Sequence, residues 1–100
     1  MRRGTTPTHI FKVDIDTASI KEIKITYSQN DKIVLVKRTD DCTMTPGEIT
    51  LKLTQEETFK FDYTDYLYIQ IRILMIDGEC LSTDLIMVSV KKCLDNEVLS

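Results

Sequence analysis

The chain has one histidine, His9, so a serine or cysteine nucleophile would have a single imidazole to serve as its base, and no Gly-x-Ser-x-Gly segment accompanies it. His9 falls on the first predicted strand, where an edge-strand side chain is the simplest reading. The three glycines, Gly4, Gly47 and Gly78, are isolated, which excludes a glycine-rich phosphate loop. Two prolines and three glycines also leave little room for long flexible linkers. The cysteines, Cys42, Cys80 and Cys93, are odd in number and form no Cys-x-x-Cys pair, which fits a reducing compartment and speaks against structural zinc. A bridge between Cys80 and Cys93 stays open at this stage. No stretch approaches the ~20 apolar residues of a membrane helix. The basic start Met1-Arg2-Arg3 is followed by no apolar run, so the reading is synthesis in the cytoplasm without a signal peptide.

Charge is equally sparse in information. The net charge is −3, and the basic residues are scattered apart from Arg2-Arg3, Lys37-Arg38 and Lys91-Lys92. That balance gives no general attraction for nucleic acid or an anionic membrane, and neither is a predicted partner. Carboxylates pair at Asp14/Asp16, Asp40/Asp41, Glu56/Glu57 and Asp62/Asp65. Calcium takes about six or more oxygens, a density that no loop here reaches. A glycosidase needs two carboxyls across a cleft, which one small sandwich hardly offers. These pairs read as solvated turns; no catalytic residue, metal ligand or cofactor is predicted.

What the chain does have is dyad alternation. Leu67, Ile69, Ile71, Ile73 and Met75 recur at every second position, which puts them on one face of a strand. The run stops at Asp77-Gly78, a pair suited to a type I′ turn, and resumes as Leu85-Ile86-Met87-Val88-Ser89-Val90. A two-residue loop there sets Ile69 opposite Ile86 and Leu67 opposite Val88, but it also sets Ile71 opposite Asp84. A charge facing a core is costly, so the pattern predicts a bulge or break within Ser82-Thr83-Asp84. Further strands are predicted over Thr8 to Val13 with Ile10 inward, and over Ile20 to Ser28 with Ile23, Ile25 and Tyr27 inward. Another runs from Glu48 to Leu53 with Ile49, Leu51 and Leu53 inward. In the strand from Lys32 to Lys37, Ile33 and Leu35 share one face and Val34 and Val36 the other; a strand apolar on both faces is doubly covered or part of an interface.

Asp16 is placed to cap a short helical turn. Thr39 to Gly47 reads as the longest loop, ending in the turn pair Pro46-Gly47. Thr54-Gln55-Glu56-Glu57 matches a capping box whose turn must be short, because Phe59 and Phe61 return to period two. Asp62-Tyr63-Thr64-Asp65 reads as a turn, and the tail as one turn docking Leu94, Val98 and Leu99. The fold class that follows is all-β: an antiparallel two-sheet sandwich, immunoglobulin-like, with six to seven strands and at most one or two short helical turns. A small barrel is the alternative. Residues 1–7 form an extended arm, 8–92 the sandwich and 93–100 a tail.

Arg3-Gly4-Thr5-Thr6-Pro7-Thr8, Ile23 to Asn30, Leu53 to Thr58 ahead of Phe59 and Phe61, Ile69-Gln70-Ile71-Arg72, and Cys93 to Leu99 form a set of segments at characteristic distances. As a set they resemble a family of small prophage-encoded proteins from Gram-positive gut bacteria. The resemblance covers nearly the whole chain, and Tyr63 to Tyr66 departs from it most. The family is similar to the N-terminal domain of upper baseplate proteins of tailed phages. The resemblance implies a β-sandwich module that joins or decorates a virion part in the tail or baseplate region, with no activity and no catalytic residues.

The expected function is therefore a non-enzymatic structural or assembly module that binds protein subunits, either copies of itself or other virion proteins. Arg2, Arg3 and Thr5 of the arm come first as partner-binding residues, because an extended cationic arm can pair with carboxylates or add to a sheet edge. Val98 and Leu99 of the tail come second. Tyr66 and Tyr68 lie on the strand face opposite Ile69 and Ile71, at the surface or at a subunit contact. The rival reading is a carbohydrate-binding module that uses Tyr63, Tyr66 and Tyr68 as stacking planes.

Overall fold

A computed structural model describes residues 1–100 and shows two antiparallel sheets packed face to face. The elements in chain order are β1 (Thr8–Lys12), β2 (Ile20–Gln29), β3 (Lys32–Arg38), β4 (Cys42–Thr45), β5 (Glu48–Lys52), α1 (Gln55–Phe59), β6 (Leu67–Met75), β7 (Cys80–Ser82) and β8 (Ile86–Val88). One sheet has the order β1-β5-β4. The other runs β3-β2-β6, and β7 and β8 lie end to end along the far edge of β6. The first sheet occupies the B–E–D positions of an immunoglobulin sandwich and the second the C′–C–F–G positions. No strand stands at the A position.

The core is the meeting of two alternations. Ile23, Ile25 and Tyr27 of β2 and Leu67, Ile69, Ile71 and Ile73 of β6 face Ile49 and Leu51 of β5, and all are buried. β1 contributes differently from its sequence reading. His9 and Phe11 turn inward, opposite Leu51 and Ile49, and Ile10 points out with 57% of its surface exposed. The ring of His9 lies 5.9 Å from that of Tyr27, which lies 5.6 Å from Phe61, so an aromatic file replaces the expected aliphatic contact.

Register explains the other departures. In β3, Val34 is the extra residue of a bulge opposite Tyr27 and Ser28. The bulge resets the alternation, so Leu35 is buried, Val34 packs on the core and Ile33 faces outward opposite Ser28. Ile33 and Leu35 therefore do not share a face. The type I′ geometry appears at Asn30-Asp31, with φ of 51° and 59°, and not at Asp77-Gly78. There Met75 pairs with Glu79 around a three-residue loop, and only Gly78 is left-handed, at φ 92°. That loop shifts the β6–β7 register by one residue. The break at Thr83 to Leu85 shifts it back, so Ile69 meets Ile86 and Leu67 meets Val88 as the sequence requires. Thr83 fills the gap, its hydroxyl accepting from the Ile71 amide at 3.1 Å, and Asp84 stays exposed.

The segment read as the longest loop holds β4, which pairs with β5 around Pro46-Gly47; Gly47 at φ 77° after a proline is the type II pattern. Asp16 caps its helical turn, accepting from Ala18 N at 3.1 Å. Thr54 and Glu57 close the capping box of α1 in both directions. Phe59 ends that helix and Phe61 is buried beyond it, so neither belongs to a strand. The tail forms no helical turn: Leu94 is 96% exposed and Leu99 also faces water. All three cysteines are free thiols. The helices are too short and too polar to cross a membrane.

Candidate protein-interaction site

The residues singled out for partner binding fall into two groups. The first is where the chain ends meet α1. The N-terminal segment is stitched to its own domain. The Met1 ammonium donates to Ser89 O at 3.0 Å, Arg3 N donates to Lys91 O, and Lys91 N returns a bond to Met1 O. Arg2 sends its guanidinium to Lys92 O at 2.7 Å. Arg3 donates to Phe59 O at 3.0 Å, and its guanidinium carbon lies 5.6 Å from the Phe59 ring. Thr5 donates to Arg2 O at 2.6 Å.

Thr58, fully buried, joins the two segments: its hydroxyl accepts from Gly4 N and lies 2.9 Å from Thr5 O as donor. Residues 1–7 are thus a bent strap and not an extended arm, and the arginines are committed within the chain. Nothing in the local pattern signals this, because the partners, the carbonyls of Lys92 and Phe59 and the side-chain oxygen of Asn96, are all at least fifty residues away. On the tail, the Gln55 side chain bonds both N and O of Leu99 at 2.9 Å, leaving the Val98 and Leu99 side chains partly or largely exposed.

The second group lies on the outer face of the five-stranded sheet. Here β6 puts Ile69 and Ile71 into the core and Tyr68 outward, as alternation dictates. Tyr68 sits in a cross-strand row: Ile33 on β3 opposite Ser28 on β2, Ser28 opposite Tyr68 on β6, and Tyr68 opposite Met87 on β8. Ile33, Tyr68 and Met87 are 66%, 37% and 58% exposed. Tyr66 is exposed beside them, and the two tyrosines share a shallow depression of about 280 Å³ with Asn30, Asp31 and Asp65. Tyr63 shares a separate depression of about 270 Å³ with Tyr66, its ring lies 5.5 Å from the Lys92 ammonium, and the three tyrosines make no ring pair with one another.

Ile33 and Met87 escaped selection from sequence. Ile33 turns outward only because of the Val34 bulge. Met87 sits in an unbroken apolar run that hides its facing. The one legible signal was that the strand from Lys32 is apolar on both sides.

The titrating groups serve the fold. Burial, with the N-terminal ammonium adding to it, holds His9 below its ordinary value of 6.5. Its Nδ1 shares a 2.8 Å hydrogen bond with the Tyr27 hydroxyl, whose own pKa burial pushes up. Burial raises the Cys42 thiol, and Asp41 adds to the rise. For Glu57, burial acts upward, but bonds from Lys37 and from the Thr54 amide outweigh it and hold the carboxyl below 4.5. No three His, Cys, Asp or Glu side chains come together as a metal would require. No protein-family model, curated protein or solved structure matches the chain.

Proposed function

We propose that this chain is a non-catalytic module that binds other protein subunits, as a structural or assembly component of the tail or baseplate region that its sequence resemblance implies. The observation that carries the proposal is the row Ile33, Tyr68 and Met87 on the outer sheet face. The outward face of a two-layer antiparallel sandwich is ordinarily polar, and a lined-up row of large apolar side chains gains free energy when a second surface covers it. Aromatic and methionine side chains are also those that contact surfaces favour. The double variant Ile33→Lys, Met87→Lys tests this directly. Both positions face water, so its circular dichroism and melting temperature should match the parent's. Its self-association, or its complex with purified products of the adjacent genes, should be lost in size exclusion with light scattering. Undiminished complex formation would remove the face from consideration, and flanking genes of a metabolic operon would overturn the virion setting.

A second reading is carbohydrate binding through Tyr66 and Tyr68, supported by the depression they share with the polar side chains of Asn30, Asp31 and Asp65. A glycan array on the parent and on Tyr66→Ala separates the two. Sugar binding lost in the folded variant would favour the second.

A further inference from the structure

Four residues along the strands from the apolar row, the same face carries a second row. Lys24 on β2 stands directly opposite Arg38 on β3 and directly opposite Arg72 on β6, and Arg72 stands opposite Ser82 on β7. Neighbouring strands are about 4.8 Å apart, so three cations are ranked side by side on a chain whose net charge is −3. Like charges directly opposite one another destabilise a sheet. Local relief is partial: Arg38 has a single carboxylate, Glu22 at 3.7 Å, and Lys24 and Arg72 form no ion pair. Beside the row, Glu22, Lys24, Arg72, Ile73, Leu74 and Cys80 line a depression of about 300 Å³, in which two cations face one carboxylate. The row thus keeps an excess of positive charge, with Lys24 and Arg72 unpaired within the fold.

We infer that the cationic row Arg38–Lys24–Arg72 and the apolar row Ile33–Tyr68–Met87 form one docking face for a protein segment that presents carboxylates and, about 13 Å away, an apolar side chain. This rests on the protein-binding reading above and adds the chemistry of the partner. The charge complementarity is local. Arginine guanidinium forks match carboxylates in two parallel bonds, and the lysine between them adds a third positive charge. A bare polyanion fits less well, because Glu22 closes one end of the face and Asp31 and Asp65 the other, and because Ile33 and Met87 offer nothing to a phosphate or sulfate chain. The apolar row between those ends instead suits a polypeptide with side chains of both kinds.

The probe is a fluorescent peptide with three glutamates at one end and a leucine–phenylalanine pair at the other, followed by anisotropy. An all-glutamate peptide and a heparin oligosaccharide serve as comparisons. The mixed peptide should bind best, and should weaken by about tenfold or more as salt rises from about 10 mM to about 150 mM, since exposed charges are screened over that range. The double variant Lys24→Glu, Arg72→Glu should lose about tenfold or more in affinity. Lys24→Thr, which removes the repulsion, should melt at or above the parent's temperature. Equal binding by parent and reversed variant would overturn the proposal. So would heparin or all-glutamate binding as tight as the mixed peptide, or a Lys24→Thr variant that melts well below the parent. If charge reversal has no effect while Ile33→Lys, Met87→Lys still abolishes subunit complexes, the acidic-partner inference fails and the protein-binding reading stands.

Discussion

Gln29 and Thr58 are the two polar side chains among the sixteen residues the fold encloses, and each is fully occupied. The Gln29 amide donates to Asp62 O at 2.7 Å and Asp65 O at 3.2 Å, and its oxygen accepts from Asp62 N at 2.7 Å. One side chain thereby closes the turn ahead of β6. Gln29→Leu leaves those backbone groups unpaired, and a loss of about 1–3 kcal/mol is expected in urea titration. Ile71, 1% exposed at the centre of the sandwich, tolerates no charge; Ile71→Asp should give an unfolded chain by circular dichroism. His9 makes stability depend on pH with a definite sign. Its folded pKa lies below 6.5, so the folded chain resists a proton that the unfolded chain accepts. The contribution is complete above 6.5 and is lost as pH falls through the folded value. Urea midpoints should drop from pH 7.5 to pH 5.5, and His9→Gln should flatten part of that drop.

Hairpin loops decide register at the scale of elements. Both Asn30 and Asp31 hold positive φ, whereas at the other hairpin only Gly78 does and Asp77 accepts from Glu79 N at 2.9 Å. The two aspartates should therefore answer glycine substitution oppositely. Asp31→Gly should raise stability by about 0.5 kcal/mol because it relieves a left-handed side chain, and Asp77→Gly should lower it by a similar amount because it frees the chain and removes a bond. Equal responses, read from urea midpoints, would mean that the turns are assigned wrongly. The same level shows why some strands were legible and others were not. β5 and β6 keep unbroken period two, so their facings follow from side-chain pattern alone. The bulge at Val34 and the pairing of β4 depend on what a neighbouring strand offers, and local sequence carries no record of a partner's register.

At the scale of the molecule, the sandwich is fastened where its ends meet. Residues 1–5 bind Thr58, Phe59 and the 89–92 segment, so deleting residues 1–7 should destabilise the domain and not merely trim an arm. A fall in melting temperature of at least about 5 °C is expected. Gly4→Ala should act in the same direction by about 1 kcal/mol or more, since φ is 77° and a Cβ would come within 2.6 Å of the Phe59 ring. An unchanged melting temperature in the deletion would return these residues to partner binding. The sequence by itself determined the all-β class, the inward sets of β2, β5 and β6, the two helix caps and the need for a break near Asp84. Each follows from spacing along one strand or from bonds spanning a few residues. Only the tertiary structure decided that His9 and not Ile10 faces the core, that the terminal arginines hold the fold, and that two rows of outward side chains line up across four strands. Those facts are relations between distant segments, and which side chains stand abreast is fixed when the sheets pair and pack.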